Sequence, residues 1–214
     1  MDRQPRSHQD ELVRPGRKRS EESRAAILAA AFELIGEVGY AALTIEGIAH
    51  RARCGKQTIY RWWPSKAHVL LEALALKAEL NVTNADHGSY AHDLRAFLED
   101  TFRLGRRPLI AEILCALMAE AQINTDFGQL FRTAFLQGRR DALHVVLDRA
   151  RSRGDLPRHP TAATVLDIVF GTLWYRLLAT RQPVDAELVD ELTTTLTRTP
   201  PPAPDTSSDS GDQR

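Results

Sequence analysis

Apolar residues recur along this chain at intervals of three and four, the pattern of helices that bury one face. Ile27, Leu28, Ala31, Leu34, Ile35 and Val38 make the first stripe. Ser20 is its candidate N-cap, Glu21 and Glu22 suit the first turn, and Gly39 is a candidate stop. After Thr44, a second cap, Ile45, Ile48, Ala49 and Ala52 mark a short helix that Arg53-Cys54-Gly55 interrupts. A third helix over 56–62 puts Ile59 and Trp63 one turn apart on an inner face, and Gln57, Thr58 and Arg61 on an outer one. Pro64 cannot continue it, and Ser65 can cap a fourth helix. Its stripe, from Val69 and Leu70 through Ala73 and Leu74 to Leu80, reaches about Asn81.

The rear repeats the pattern. Leu94, Phe97, Leu98, Thr101 and Phe102 form one stripe; Ile110, Ile113, Leu114, Leu117, Met118 and Ala121, after Pro108, form the next. A longer helix is predicted over 126–153, closed by Gly154. Residues 161–179 are apolar nearly all round and so need cover on several sides. Leu188, Val189, Leu192 and Leu196 mark a last helix. No stretch alternates like a strand. The fold expected is all-α with about nine helices, between a disordered basic arm (1–20) and a polar tail (200–214) with nothing to bury.

Net charge is zero over 214 residues, but its placement matters more: residues 1–68 hold 12 Lys and Arg against 8 Asp and Glu, and the remainder 16 against 20. A basic front directs any polyanion to the first third. Two cysteines, Cys54 and Cys115, make no zinc or disulfide framework, which points to a reducing, cytoplasmic setting. The first residues lack the apolar stretch of a secretory signal. The 161–179 run has about the length of a membrane span, yet Asp167 and Arg176 interrupt it, so a buried helix with a polar pair is expected, and no membrane. The seven histidines show no metal-helix spacing, and no phosphate-binding or nucleophile-elbow motif occurs. Neither metal, cofactor nor enzymatic activity is expected.

The stretch GKQTIYRWWPSK, 55–66, carries the chemistry. Two short helices joined by a tight turn, the second with outward polar groups, describe a helix-turn-helix whose second helix suits a major groove. Lys56 and Arg61 fit guanine acceptors, Gln57 fits adenine, and the Thr58 methyl fits thymine. Tyr60 and Trp62 can donate to phosphates. Thr44, Gly55, Ser65 and Lys66 stand at helix starts that attract phosphate, and Lys66 adds a cation. Arg17, Lys18 and Arg19 lengthen the basic footprint.

Residues 21–81 resemble the DNA-binding domain of the TetR/AcrR family of transcriptional regulators. The resemblance rests on Gly39-Tyr40, on Leu43-Thr44-Ile45 with Ile48-Ala49, and on Thr58-Ile59-Tyr60 followed by Trp63-Pro64-Ser65-Lys66. Family members often have Gly-Val-Ser where this chain has Arg53-Cys54-Gly55, and an acid where it has His68. The resemblance implies that 82–199 form a ligand-binding and dimerisation domain, with the last two long helices pairing across a two-fold axis. Val165, Ile168, Gly171, Thr172, Tyr175, Leu188 and Leu192 fall at such an interface. Phe97, Phe102, Leu114, Met118, Phe131, Phe135 and Trp174 would line a pocket for a hydrophobic effector. The function implied is a homodimeric repressor on inverted-repeat operator DNA. An activator or effector-free DNA-binding protein, and a helical small-molecule binder with an incidental basic front, remain alternatives.

Overall fold

A computed structural model describes residues 15–77 and 85–198, all helix, turn or loop, with no strand among them. The ten α-helices are α1 (Pro15–Ala42), α2 (Ile45–Arg51), α3 (Lys56–Tyr60), α4 (Lys66–Lys77), α5 (Tyr90–Gly105), α6 (Pro108–Ile123), α7 (Thr125–Phe131), α8 (Gln137–Arg153), α9 (Ala162–Trp174) and α10 (Ala186–Thr197). A π turn, Arg132–Leu136, joins α7 to α8, so nine continuous helices exist among the described residues. A second π turn, Tyr175–Thr180, extends α9.

Residues 15–77 and 112–127 make one compact unit; 85–111 and 128–198 make the other. In the first, α1 packs on α4 and α2, and α2 on α3. Helix α1 begins at Pro15, earlier than the Ser20 cap expected, because proline at a helix start gives up only an N–H with no intrahelical partner. The expected arm therefore overlaps this helix from residue 15, while 1–14, 78–84 and the 200–214 tail lie outside the described residues. Gly39 interrupts α1 at φ 72° and ψ 170°, a conformation natural to glycine and strained for other residues. Thr44 caps α2, its side-chain oxygen accepting from Gly47 N at 3.0 Å.

The rear unit is built on α5, which packs against α8, α9 and α10. The hydroxyl of Ser89 caps α5, and Gly154 ends α8 at φ 81°. Asp93, buried near the start of α5, accepts from His87 N (2.7 Å) and Arg153 Nη2 (2.8 Å), with Arg149 Nη1 at 3.5 Å. This polar knot ties the start of α5 to the end of α8. Gly105 lets α5 approach its neighbours: a Cβ there would lie 2.7 Å from Val184 Cγ2 and 3.4 Å from Leu177 Cδ2.

Candidate nucleic-acid interface

Four residues separate α2 from α3, and the turn is made by Arg53 at φ 52°. Ile59 is fully buried and Trp63 is 3% exposed, as their one-turn spacing required. Trp63 Nε1 donates to Glu72 Oε2 at 2.9 Å, and Arg24 holds the same carboxylate at 2.7 Å. Buried indole and ion pair together fix the end of α3 against α1 and α4. The outer face then has no freedom to turn inward. Lys56, Gln57, Tyr60 and Arg61 are exposed, and Thr58 and Trp62 are half-buried. Helix α3 stops at Tyr60, short of the 56–62 expected, but Trp62 N and Trp63 N both bond to Ile59 O at 2.9 Å and continue the turn.

Two cations on this face are already engaged. Lys56 Nζ bonds Glu46 Oε1 at 3.0 Å, a contact that holds the Glu46 carboxyl below its ordinary range. Exposed pairs of this kind are weak because solvent screens them, so a phosphate can replace the carboxylate. The Arg61 guanidinium lies 4.9 Å from the centre of the Trp62 ring, and Trp62 meets Trp63 edge-on at 5.3 Å. Cation–π stacking uses the face of the guanidinium and pre-positions the exposed Arg61.

Lys66 departs from the phosphate contact expected of it. Its ammonium donates to Tyr40 O (2.8 Å) and Leu43 O (2.9 Å) and lies 4.3 Å from the Tyr40 ring centre. These carbonyls end α1 and lack helical partners, which a lysine can satisfy. Tyr40 Oη in turn donates to Glu120 Oε2 at 3.2 Å, and burial, with that carboxylate, pushes the phenol far above its ordinary range. Sequence reasoning missed Glu72, Arg24 and Glu120, all charged residues whose partners lie distant in sequence. Ser65 is half-buried, its hydroxyl 2.9 Å from His68 Nδ1; Thr44 and Gly55 remain at exposed helix starts. Arg19 is exposed on α1; the side chains of Arg17 and Lys18 lie outside the described residues.

The expected pocket residues divide. Phe97, Phe102, Phe131, Phe135 and Trp174 belong to the rear unit, whereas Leu114 and Met118 cluster with the front one. Phe131 stacks on Phe135 at 5.3 Å and 11°, and Trp174 meets Phe131 edge-on at 6.4 Å. The expected interface divides too. Val165, Leu188 and Leu192 are buried within the protomer and cannot present area to a partner. Of the remaining interface candidates, Ile168 and Thr172 are half-buried, while Gly171 on α9 and Tyr175 at the start of the following π turn are exposed. Asp167 and Arg176 do not pair: nine residues span roughly 14 Å of helix, and Arg176 Nη1 donates to Pro183 O at 2.7 Å. Burial pushes the Cys54 thiol up, opposite to an activated thiolate. No group of three His, Cys, Asp or Glu among the described residues is placed to hold a metal ion.

Residues 27–73 match the family described as bacterial regulatory proteins, tetR family, and 84–196 match the tetracyclin repressor-like, C-terminal domain. The chain is 32% identical over 178 residues to the HTH-type transcriptional regulator YdeS of Bacillus subtilis (strain 168), covering 83% of this chain and 89% of that one. Salmonella enterica GusR superposes with a TM-score of 0.65 at 17% identity, over 86% of this chain and 96% of that one. FadR from Bacillus subtilis, solved with stearoyl-CoA, superposes with a TM-score of 0.64 at 19% identity, over 81% and 97%. At such identities the two structures share the fold.

Proposed function

Because the chain belongs to the TetR family of bacterial regulatory proteins, a family of DNA-binding transcriptional regulators, we propose that it is a homodimeric repressor released from its operator by a small hydrophobic molecule. The front unit reads DNA, the 82–199 region binds the effector and the second subunit, and the protein acts in the cytoplasm where its operator lies. One observation carries the reading: Ile59 and Trp63 are locked inside, so Gln57, Thr58, Tyr60 and Arg61 face out from the second helix of a helix-turn-helix. Arg61 and Gln57 read base edges; Tyr60, Trp62, Lys56 and the starts of α2 and α4 bind phosphates.

The effector reading draws on the rear aromatic cluster and on the stearoyl-CoA of the FadR structure. A route to the DNA-reading helices is available through Glu120, Tyr40 and Lys66, because α6 carries residues of both units. An effector must prefer the released state by about 2.7 kcal/mol to lower DNA affinity a hundredfold.

The test begins with selection of genomic fragments by the purified full-length protein, followed by gel shifts on the selected site. Arg61→Ala is expected to relax specificity at one base position per half-site, at a cost of about 1–3 kcal/mol. An Arg61→Ala protein that reads every position as the parent does sinks the groove assignment. Binding that no apolar compound relieves would favour an effector-free regulator.

A further inference from the structure

Arg139 on α8 is only 7% exposed, yet no carboxylate among the described residues forms an ion pair with it, and none of its nitrogens is among the fully buried atoms left without a partner, so the small exposed remainder of the side chain includes its N–H edge. What it touches is a ring: its guanidinium carbon lies 4.3 Å from the centre of Phe135. The bland reading is an arginine satisfied by that ring. Stacking uses only the face of the guanidinium, however. The five N–H donors lie in its plane, at the edge, and a ring below cannot accept from them. Burial alone pushes this group down to about 10, and no neighbouring charge opposes the shift. The other buried charged residue, Asp93, sits among two arginines and a backbone N–H. Arg139 is the exception.

Its surroundings supply the rest of a site. Trp174, Phe131, Phe135 and Arg139 form a ladder in which each member touches the next. Phe135 lies within the π turn Arg132–Leu136, and Trp174 leads directly into the π turn Tyr175–Thr180. Such wide turns inside helices recur at functional sites.

We propose that Arg139 is the anion-recognising residue of the effector site, and that the effector is an amphipathic monocarboxylate whose apolar body lies along Phe135, Phe131 and Trp174. The inference rests on the proposed function and narrows its ligand class. A planar carboxylate accepts two parallel N–H bonds from a guanidinium edge, and one negative charge balances one cation. A dianionic phosphate would leave a charge uncompensated.

The test uses the full-length protein with dodecanoate, dodecan-1-ol and dodecyl phosphate, each below its aggregation concentration, with affinities from calorimetry. The acid should bind at least about tenfold more tightly than the alcohol and no more weakly than the phosphate. Arg139→Gln should bind acid and alcohol alike, with alcohol affinity retained. Should that variant not fold, the wild-type acid-to-alcohol ratio decides, together with an arginine Nε–H resonance that moves with acid and not with alcohol. Equal wild-type affinities, acid preference surviving in Arg139→Gln, or binding of none of the three would overturn the proposal. Acid that binds through Arg139 but leaves DNA bound defeats ligand release and spares the site. A neutral compound that releases DNA while the acid does not bind defeats the site and spares ligand release.

Discussion

Lys66 shows how one side chain can look like a DNA contact and serve the fold. Its ammonium lies over the Tyr40 ring and satisfies the carbonyls of Tyr40, in the last turn of α1, and of Leu43, just after it. Lys66→Ala leaves both carbonyls without that donor, so a loss of about 1–3 kcal/mol is expected in urea unfolding. A phosphate-binding lysine behaves differently: its loss lowers the slope of log affinity against log salt by about 1. The slope should therefore be unchanged for Lys66→Ala, and a flattened slope at full stability would return Lys66 to the DNA. Arg61 is the opposite case, because its guanidinium is braced by the Trp62 ring and forms no ion pair among the described residues.

At the scale of elements, the rear unit depends on two junctions of α5. At its end, Gly105 receives Val184, Leu177 and Leu173 where a side chain would stand. Gly105→Ala should overpack this junction and cost about 1–3 kcal/mol, read as a lower thermal midpoint. A neutral result would mean that Val184 moves freely. At its start, burial raises the Asp93 pKa, but His87 N–H, Arg153 and Arg149 outweigh it and hold the carboxyl below its ordinary range. A depressed folded pKa makes the stabilisation complete above the unfolded value of about 4 and removes it as pH falls below that. Thermal stability should thus drop as pH falls below about 4, and the drop should shrink in Asp93→Asn. An identical acid profile in the variant would place the sensitivity elsewhere.

For the whole molecule, assembly is the open variable. Helix α9 buries Val165, Leu166, Val169 and Leu173 inside the protomer and leaves Thr164, Asp167 and Gly171 exposed, with Tyr175 exposed just after it. Tyr175 is 63% exposed and Leu178, in the following π turn, 40%. A Cβ at Gly171 would meet nothing within 4 Å in the protomer. Gly171→Leu should therefore leave the protomer's stability intact while disrupting a dimer packed on this face. Sedimentation should then show monomer, with weaker binding to paired half-sites. A Gly171→Leu protein that stays dimeric with full DNA affinity moves the interface off α9. An apolar helix as long as α9 with its π turn also meets the length and composition of a membrane span. Its residues 165, 166, 169 and 173 instead fill the core beside α5 and α8.

The helices were largely legible in the residues alone, because three-and-four spacing and local caps act over a single turn. Thr44 marks a boundary through its side-chain hydroxyl and Gly39 and Gly154 through their backbone conformations, and Ile59 and Trp63 declare an inner face by interval alone. The same locality made the outer face of α3 legible. Tertiary structure decided what each charge does, since a cation's partner is chosen by distance in space. Lys66 turned to carbonyls more than twenty residues away, Arg176 to Pro183, and Val165, Leu188 and Leu192 to their own protomer. Arg139 is the sharpest instance. In Gln137-Gly138-Arg139-Arg140-Asp141 it reads as one more solvated charge, although its four-residue spacing from Phe135 and Leu143 places it on their buried stripe. Spacing can put a residue on a face; only packing settles whether water, protein or a ligand meets the charge it carries.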